Sequence, residues 1–136
     1  MPDLPYLFVY GSLRRAACTQ WSKFLADDSR FVGSGHTHGA LFQLDGYPGM
    51  TVSPSEEAWV TGEVYLLHEP SSLLRSLDAY EGCGLDDALP HAFERQVVTV
   101  VLDSGQSVEA WAYIYKLATE GKSRLTSGDY LRRTTR

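Results

Sequence analysis

The run Tyr6-Leu-Phe-Val-Tyr10 constrains the fold most, because all five residues are aliphatic or aromatic and none is charged. A strand of this composition has no polar face, so both of its faces must be buried against other strands or helices. The run ends at Gly11-Ser12, and glycine at the end of a strand is typical of a turn. The sequence therefore predicts a buried N-terminal strand inside a packed β-structure.

The rest of the chain is mostly strand-like. Strands are predicted over Phe31–Leu44, Trp59–Leu67, Phe93–Leu102 and Val108–Tyr115, and glycines at 33, 35 and 39 indicate that the first of these is bent or divided. Helices are predicted over Cys18–Leu25 and from Pro70 to about Tyr80, and turns at Asp45-Gly46 and Pro48-Gly49. Helices do not alternate one for one with strands, which favours an α+β fold in which a twisted mixed sheet curls into a small barrel.

Composition sets the domain count and excludes some partners. The 136 residues fit one domain, 1–136, and a hydrophobic content of 43% is enough for a packed core. Twelve Lys and Arg against 17 Asp and Glu give a formal charge of −5. Without a basic stripe to neutralise phosphates, nucleic acid is not an expected partner.

The N-terminal segment predicts a cytoplasmic protein with no membrane partner. No basic region precedes the apolar run at Tyr6–Tyr10, which is too short for a signal peptide or a membrane span. Without an export signal, Cys18 and Cys83 are expected to be free thiols.

The first candidate site is the end of the predicted N-terminal strand, Val9 to Leu13. A buried strand that stops at Gly-Ser leaves successive backbone N–H groups without partners in the sheet, and such a group of donors binds a carboxylate or phosphate. Arg14 and Arg15 add positive potential. The alternative is an ordinary turn after a strand.

The second candidate is Glu81, in the last turn of the predicted helix. At 100° per residue it projects within about 40° of Leu77, which belongs to the apolar stripe formed with Leu73 and Tyr80. Burial and the negative end of the helix dipole both disfavour the anion, so we expect a raised pKa, as a general acid/base requires. The alternative is a helix that frays before Glu81 and leaves its side chain in water.

Two other patterns carry a functional and a structural interpretation. His36 and His38 share one strand face at a spacing found in metal-binding barrels, but Gln43 stands where a carboxylate ligand is wanted, so a polar strand edge is the alternative. Trp111, Tyr113 and Tyr115 share a face of the last long strand, where they line a pocket or belong to the core.

Several motifs in order along the chain resemble the γ-glutamylcyclotransferase-like family, which includes AIG2-like proteins and γ-glutamylamine cyclotransferases. The leading pair is Tyr10-Gly11-Ser12-Leu13 and Leu77-Asp78-Ala79-Tyr80-Glu81-Gly82. Supporting motifs are Tyr47-Pro48, Phe93-Glu94-Arg95, Ala112-Tyr113-Ile114-Tyr115 and Ser127-Gly128-Asp129-Tyr130. The chain departs from the family in Ala16–Gln20, where a polar residue that helps to fix the substrate has no equivalent.

The resemblance implies a small mixed barrel with a few short helices and a pocket for a γ-glutamyl compound. The backbone N–H groups of Tyr10, Gly11, Ser12 and Leu13 would hold the substrate's α-carboxylate. From the aromatic face of the last long strand, Tyr115 is predicted as a further substrate-binding residue. Glu81 would be the catalytic acid/base, and the reaction would form 5-oxoproline with no metal or cofactor. A non-catalytic binding module on the same fold and a metal-dependent enzyme using His36 and His38 are the alternatives.

Overall fold

A computed structural model describes residues 4–11, 27, 29–44, 48–52, 58–80, 91–125 and 128–129, with the side chain of Tyr80 left out. The elements in chain order are β1 (Tyr6–Val9), β2 (Ser29–His38), β3 (Ala40–Gln43), β4 (Pro48–Thr51), β5 (Trp59–Leu67), α1 (Pro70–Tyr80), β6 (Phe93–Leu102), β7 (Ser107–Tyr115) and β8 (Ser123–Arg124). The predicted helix over Cys18–Leu25 lies outside the described residues. Within them, no helix is both long enough and apolar enough to cross a membrane.

Five of the strands close into a barrel. They follow the order β1-β5-β2-β6-β7, and β7 returns to β1 through a parallel pairing of Leu7 with Trp111. The strands β4, β3 and β8 extend the sheet outward from β7. The prediction of an α+β fold built on a small mixed barrel is therefore confirmed.

The strand β1 lies between two apolar cores, as its composition predicted. Phe8 belongs to a core formed with side chains of β5, β6 and β7, whereas Leu7 and Val9 belong to a second core that includes Leu73, Leu74 and Leu77 of α1. A helix does not fit inside a five-stranded barrel, so the first core fills the barrel and the second lies between its outer face and α1.

Glycines divide the second predicted strand as expected, but the turn prediction at Pro48-Gly49 is wrong. Gly39 separates β2 from β3, and a register shift between Phe31 and Gly33 bends β2. Pro48 and Gly49 instead begin β4, opposite Gln43 and Phe42 of β3. The first position of a strand is one that proline tolerates, so a turn-forming pair of residues does not exclude a strand there. Residues 45–47, with the predicted Asp45-Gly46 turn, lie outside the described residues.

We predict that Gly128 is far less replaceable than Gly121, although both have positive φ, 70° and 79°. A Cβ on Gly128 would overlap the carbonyl oxygen of Trp59, whereas one on Gly121 would meet nothing within 4 Å. Gly121→Ala should cost about 1–2 kcal/mol of unfolding free energy for the left-handed backbone alone. Gly128→Ala should cost at least about 2 kcal/mol more, because relief of the overlap has to move the backbone of residue 128 away from β5. The carbonyl of Gly128 accepts a hydrogen bond from the N–H of Thr61 at 2.7 Å, and this movement would break it.

Urea denaturation of the wild type and both variants measures the difference. Equal losses in the two variants would show that Gly128 is not packed against β5.

Candidate active site

The Tyr10 side chain belongs to the barrel core, so only the backbone of Tyr10 is available for a binding role. Its hydroxyl donates a hydrogen bond to the carbonyl of Tyr113 on β7 and accepts one from the N–H of Met50 on β4 at 3.3 Å. Because the side chain is 7% exposed, these contacts are protected from water. They fix the point at which the chain leaves β1, just before the predicted anion-binding loop.

Gly11 passes so close to β4 that a side chain would not fit. A Cβ there would lie 2.9 Å from Cγ of Pro48. The glycine of the Tyr10–Leu13 motif and the proline of the Tyr47-Pro48 motif therefore meet in the fold. Ser12 and Leu13 lie outside the described residues, so their role in holding a carboxylate stays a prediction.

Four side chains form a row across the outer face of the barrel, level with the end of β1. Val9 is paired with Glu63 of β5, and Arg95 of β6 is paired with Tyr113 of β7. The parallel pairing of Leu7 with Trp111 sets Val9 level with Tyr113, two residues further along each strand. The row thus runs over β5, β1, β7 and β6.

The helix α1 is attached to this row by Asp78. Arg95 donates two hydrogen bonds to the Asp78 carboxylate, from Nε at 2.8 Å and from Nη2 at 3.1 Å, and the Tyr113 hydroxyl donates a third at 2.7 Å. The Asp78 and Arg95 side chains are 19% and 21% exposed, which protects the ion pair from full screening. The last turn of α1 is therefore fixed to β6 and β7.

The attached turn is the one that precedes the predicted catalytic glutamate. The helix is described from Pro70 to Tyr80, beginning where the sequence predicted, and Leu73 and Leu77 of its apolar stripe are buried. Glu81 is the next residue in the chain and lies outside the described residues, so its placement and its expected pKa stay predictions.

Tyr115 lies in the apolar core between the barrel and α1. Its ring contacts that of Phe93 edge to face, with the centroids 5.5 Å apart, and the side chain is 8% exposed. Tyr113 belongs to the same core, and Trp111 packs against it. These positions agree with the packing interpretation of the aromatic face, and substrate contact by Tyr115 stays a prediction.

His36 and His38 share a face of β2, where both contact the ring of Trp59. The His38 ring stacks on it with a centroid distance of 3.6 Å, and the His36 ring meets it edge to face at 4.4 Å. Among the residues that the structure describes, no group of three or more His, Cys, Asp and Glu side chains is arranged to hold a metal ion. The contacts with Trp59 agree with the structural interpretation of this pair.

Three charged residues of this region were not among the predicted site residues. Asp78 and Arg95 occur in the family motifs, but their contact joins residues 17 apart and depends on the strand register. Glu63 is 5% exposed and accepts a hydrogen bond from the Tyr65 hydroxyl at 2.9 Å. The sequence did offer a signal for Glu63, because it is the charged residue in the otherwise uncharged strand Trp59–Leu67.

Comparison with known proteins identifies the class to which this fold and motif set belong. The sequence model of the family described as "Gamma-glutamyl cyclotransferase, AIG2-like" matches residues 7–132. A protein of Methanocaldococcus jannaschii named "Putative gamma-glutamylcyclotransferase" is 32% identical over 113 residues, which is 82% of this chain and 85% of that protein. The chain therefore belongs to the AIG2-like γ-glutamyl cyclotransferase family.

Solved structures agree with this assignment of the fold. The crystal structure of YkqA from Bacillus subtilis superimposes with a TM-score of 0.69 at 26% identity, over 93% of this chain but only 39% of that one. An AIG2-like protein from Mus musculus superimposes with a TM-score of 0.63 at 24% identity, over 99% and 98% of the two chains. This chain thus spans well under half of YkqA and nearly all of the mouse protein.

We predict that Tyr10→Phe destabilises the fold without abolishing a site formed by the backbone. The loss of two buried hydrogen bonds should lower the unfolding free energy by about 1–3 kcal/mol. Tyr6→Phe is the matched control, because Tyr6 is a half-buried tyrosine at the start of the same strand. Urea denaturation compares the two variants, and equal stabilities would show that the Tyr10 hydroxyl does not tie β1 to β4 and β7.

Proposed function

We propose that this protein converts a γ-glutamyl amine or γ-glutamyl amino acid into 5-oxoproline and a free amine. The observation that carries the proposal is that the described parts of two motif segments, the end of β1 and the last described turn of α1, pack on one outer face of the barrel. The strand before Gly11 ends level with Tyr113, and Tyr113 binds Asp78 in the last turn before Glu81. Membership of the γ-glutamyl cyclotransferase family supports the same reaction.

The substrate carries its own nucleophile. Its α-amine attacks its γ-carbonyl carbon, a five-membered lactam forms, and the bond to the leaving nitrogen breaks. The enzyme has to hold the folded substrate conformer, and fixing two reacting groups in this way can supply about 7–11 kcal/mol of the barrier. In the proposed site, the backbone N–H groups of Tyr10, Gly11, Ser12 and Leu13 hold the α-carboxylate.

Glu81 serves both proton transfers. Its carboxylate takes a proton from the α-ammonium group, which frees the nitrogen lone pair for attack, and the resulting acid gives that proton to the leaving nitrogen. The proton that the nucleophile loses is the one that the leaving group needs, so a single residue is sufficient. Tyr115 is proposed to form part of the wall around the substrate.

We further propose that the protein acts in the cytoplasm on a small molecule, with neither nucleic acid nor membrane as a partner. The formal charge of −5 favours the exclusion of nucleic acid, because a polyanionic partner would be repelled.

We predict that Glu81→Gln removes nearly all turnover and leaves the fold intact, because the amide cannot accept the proton. Glu69→Gln is the matched control, since Glu69 is an exposed carboxylate just before the other end of α1. The measurement is 5-oxoproline release from a panel of γ-glutamyl amines and γ-glutamyl amino acids, with wild type and both variants side by side.

Turnover retained in Glu81→Gln would contradict the role of Glu81. A wild type that is stabilised against heat by a panel member but releases no 5-oxoproline would instead identify a binding module on the same fold.

A further inference from the structure

The contact between Asp78 and the barrel has no part in the proton transfers proposed above, yet it joins the helix before Glu81 to two strands of the barrel. The carboxylate accepts hydrogen bonds from two adjacent strands, two from Arg95 and one from Tyr113. The neighbouring Leu77 is already fully buried against the barrel. Apolar burial holds the helix to the surface without fixing its direction, whereas three hydrogen bonds also fix its orientation.

Both donors are themselves held in place. Arg95 and Tyr113 are directly paired on β6 and β7, so their side chains leave the same face of the sheet. The Arg95 guanidinium also lies over the ring of Trp111, with Cζ 4.4 Å from the centroid. A cation over an aromatic ring and a two-pronged ion pair together leave the guanidinium little freedom. The position of Asp78 is therefore set by the barrel.

We infer that Asp78 is a positioning residue for Glu81. By fixing the turn of α1 that contains Asp78 to β6 and β7, it determines the position from which the chain continues to Glu81, three residues further along the sequence. This inference rests on the proposed function, in which Glu81 moves the proton. A general base must lie within hydrogen-bond reach of the proton that it takes, and a displacement of about 1 Å can lower the rate about 100-fold.

The role has a kinetic signature. Substrate affinity depends in this scheme on the loop that follows β1, so loss of the Asp78 contact should lower kcat and leave KM nearly unchanged. Asp78→Asn keeps the shape of the side chain but removes its charge, and we expect kcat to fall about 10- to 100-fold. Arg95→Lys keeps the positive charge without the two-pronged geometry, so a smaller loss of kcat is expected.

The same pair of strands offers a matched control. Glu109 of β7 is exposed and accepts a hydrogen bond from the hydroxyl of its directly paired residue, Thr99 of β6, at 2.8 Å. Glu109→Gln removes a carboxylate from a similar contact without touching α1, so kcat and KM should both stay at the wild-type values.

The experiment measures kcat and KM for 5-oxoproline release in wild type, Asp78→Asn, Arg95→Lys and Glu109→Gln, well below the melting temperature of each. A lowered kcat with unchanged KM in the first two variants, and normal values in Glu109→Gln, supports the positioning role. If Asp78→Asn does not fold, Arg95→Lys decides by the same comparison.

The outcomes separate this inference from the proposed function. Wild-type turnover that is lost in Glu81→Gln but unchanged in folded Asp78→Asn and Arg95→Lys overturns the positioning role alone. Variants that melt at lower temperature with normal kcat also overturn it, since a purely structural contact would have that effect. A wild type that releases no 5-oxoproline overturns the proposed function, and this inference with it.

Discussion

Closure of the barrel depends on β1, a strand of four residues that pairs antiparallel with β5 and parallel with β7. One of its faces looks into the barrel and the other faces α1, so apolar side chains are required at successive positions rather than at alternate ones. The same pairing determines where the chain leaves the sheet. Tyr10 then fixes that exit, because its hydroxyl joins β7 and β4 just before Gly11.

Apolar and polar contacts have separate roles in placing α1. Leu73, Leu74 and Leu77 bury one side of the helix against the barrel, and this burial supplies most of the attraction. It does not determine how far the helix slides or rotates, since apolar contacts have weak directional preferences. Hydrogen bonds from Arg95 and Tyr113 to Asp78 add the missing direction at the helix end. The orientation of the last turn of α1 thus follows from the register of β6 and β7.

The sequence alone predicted the features that depend on local pattern. The strands Trp59–Leu67 and Phe93–Leu102 have the expected bounds and the helix begins at Pro70 as expected, because periodicity and turn residues mark these positions directly. Pro48-Gly49 was mispredicted because the same two residues can form a turn or begin a strand, and here they pair with Gln43 and Phe42 of β3. The contact between Asp78 and Arg95 was missed because it exists only once the barrel has brought β6 beneath the helix.

The proposed reaction makes modest chemical demands and strict geometric ones. Its nucleophile and electrophile are parts of one substrate, so the protein has to hold a carboxylate, enforce a folded conformer and carry one proton. A strand end is suited to holding the carboxylate and a helix end to placing the residue that carries the proton, provided that both are fixed to the same rigid body. In this chain the end of β1, itself a strand of the barrel, and the last described turn of α1 lie on one outer face, where Val9 and Tyr113 share a core and Tyr113 binds Asp78. Stability and catalytic geometry would then depend on the same few contacts, which is why residues that never touch substrate can control the rate.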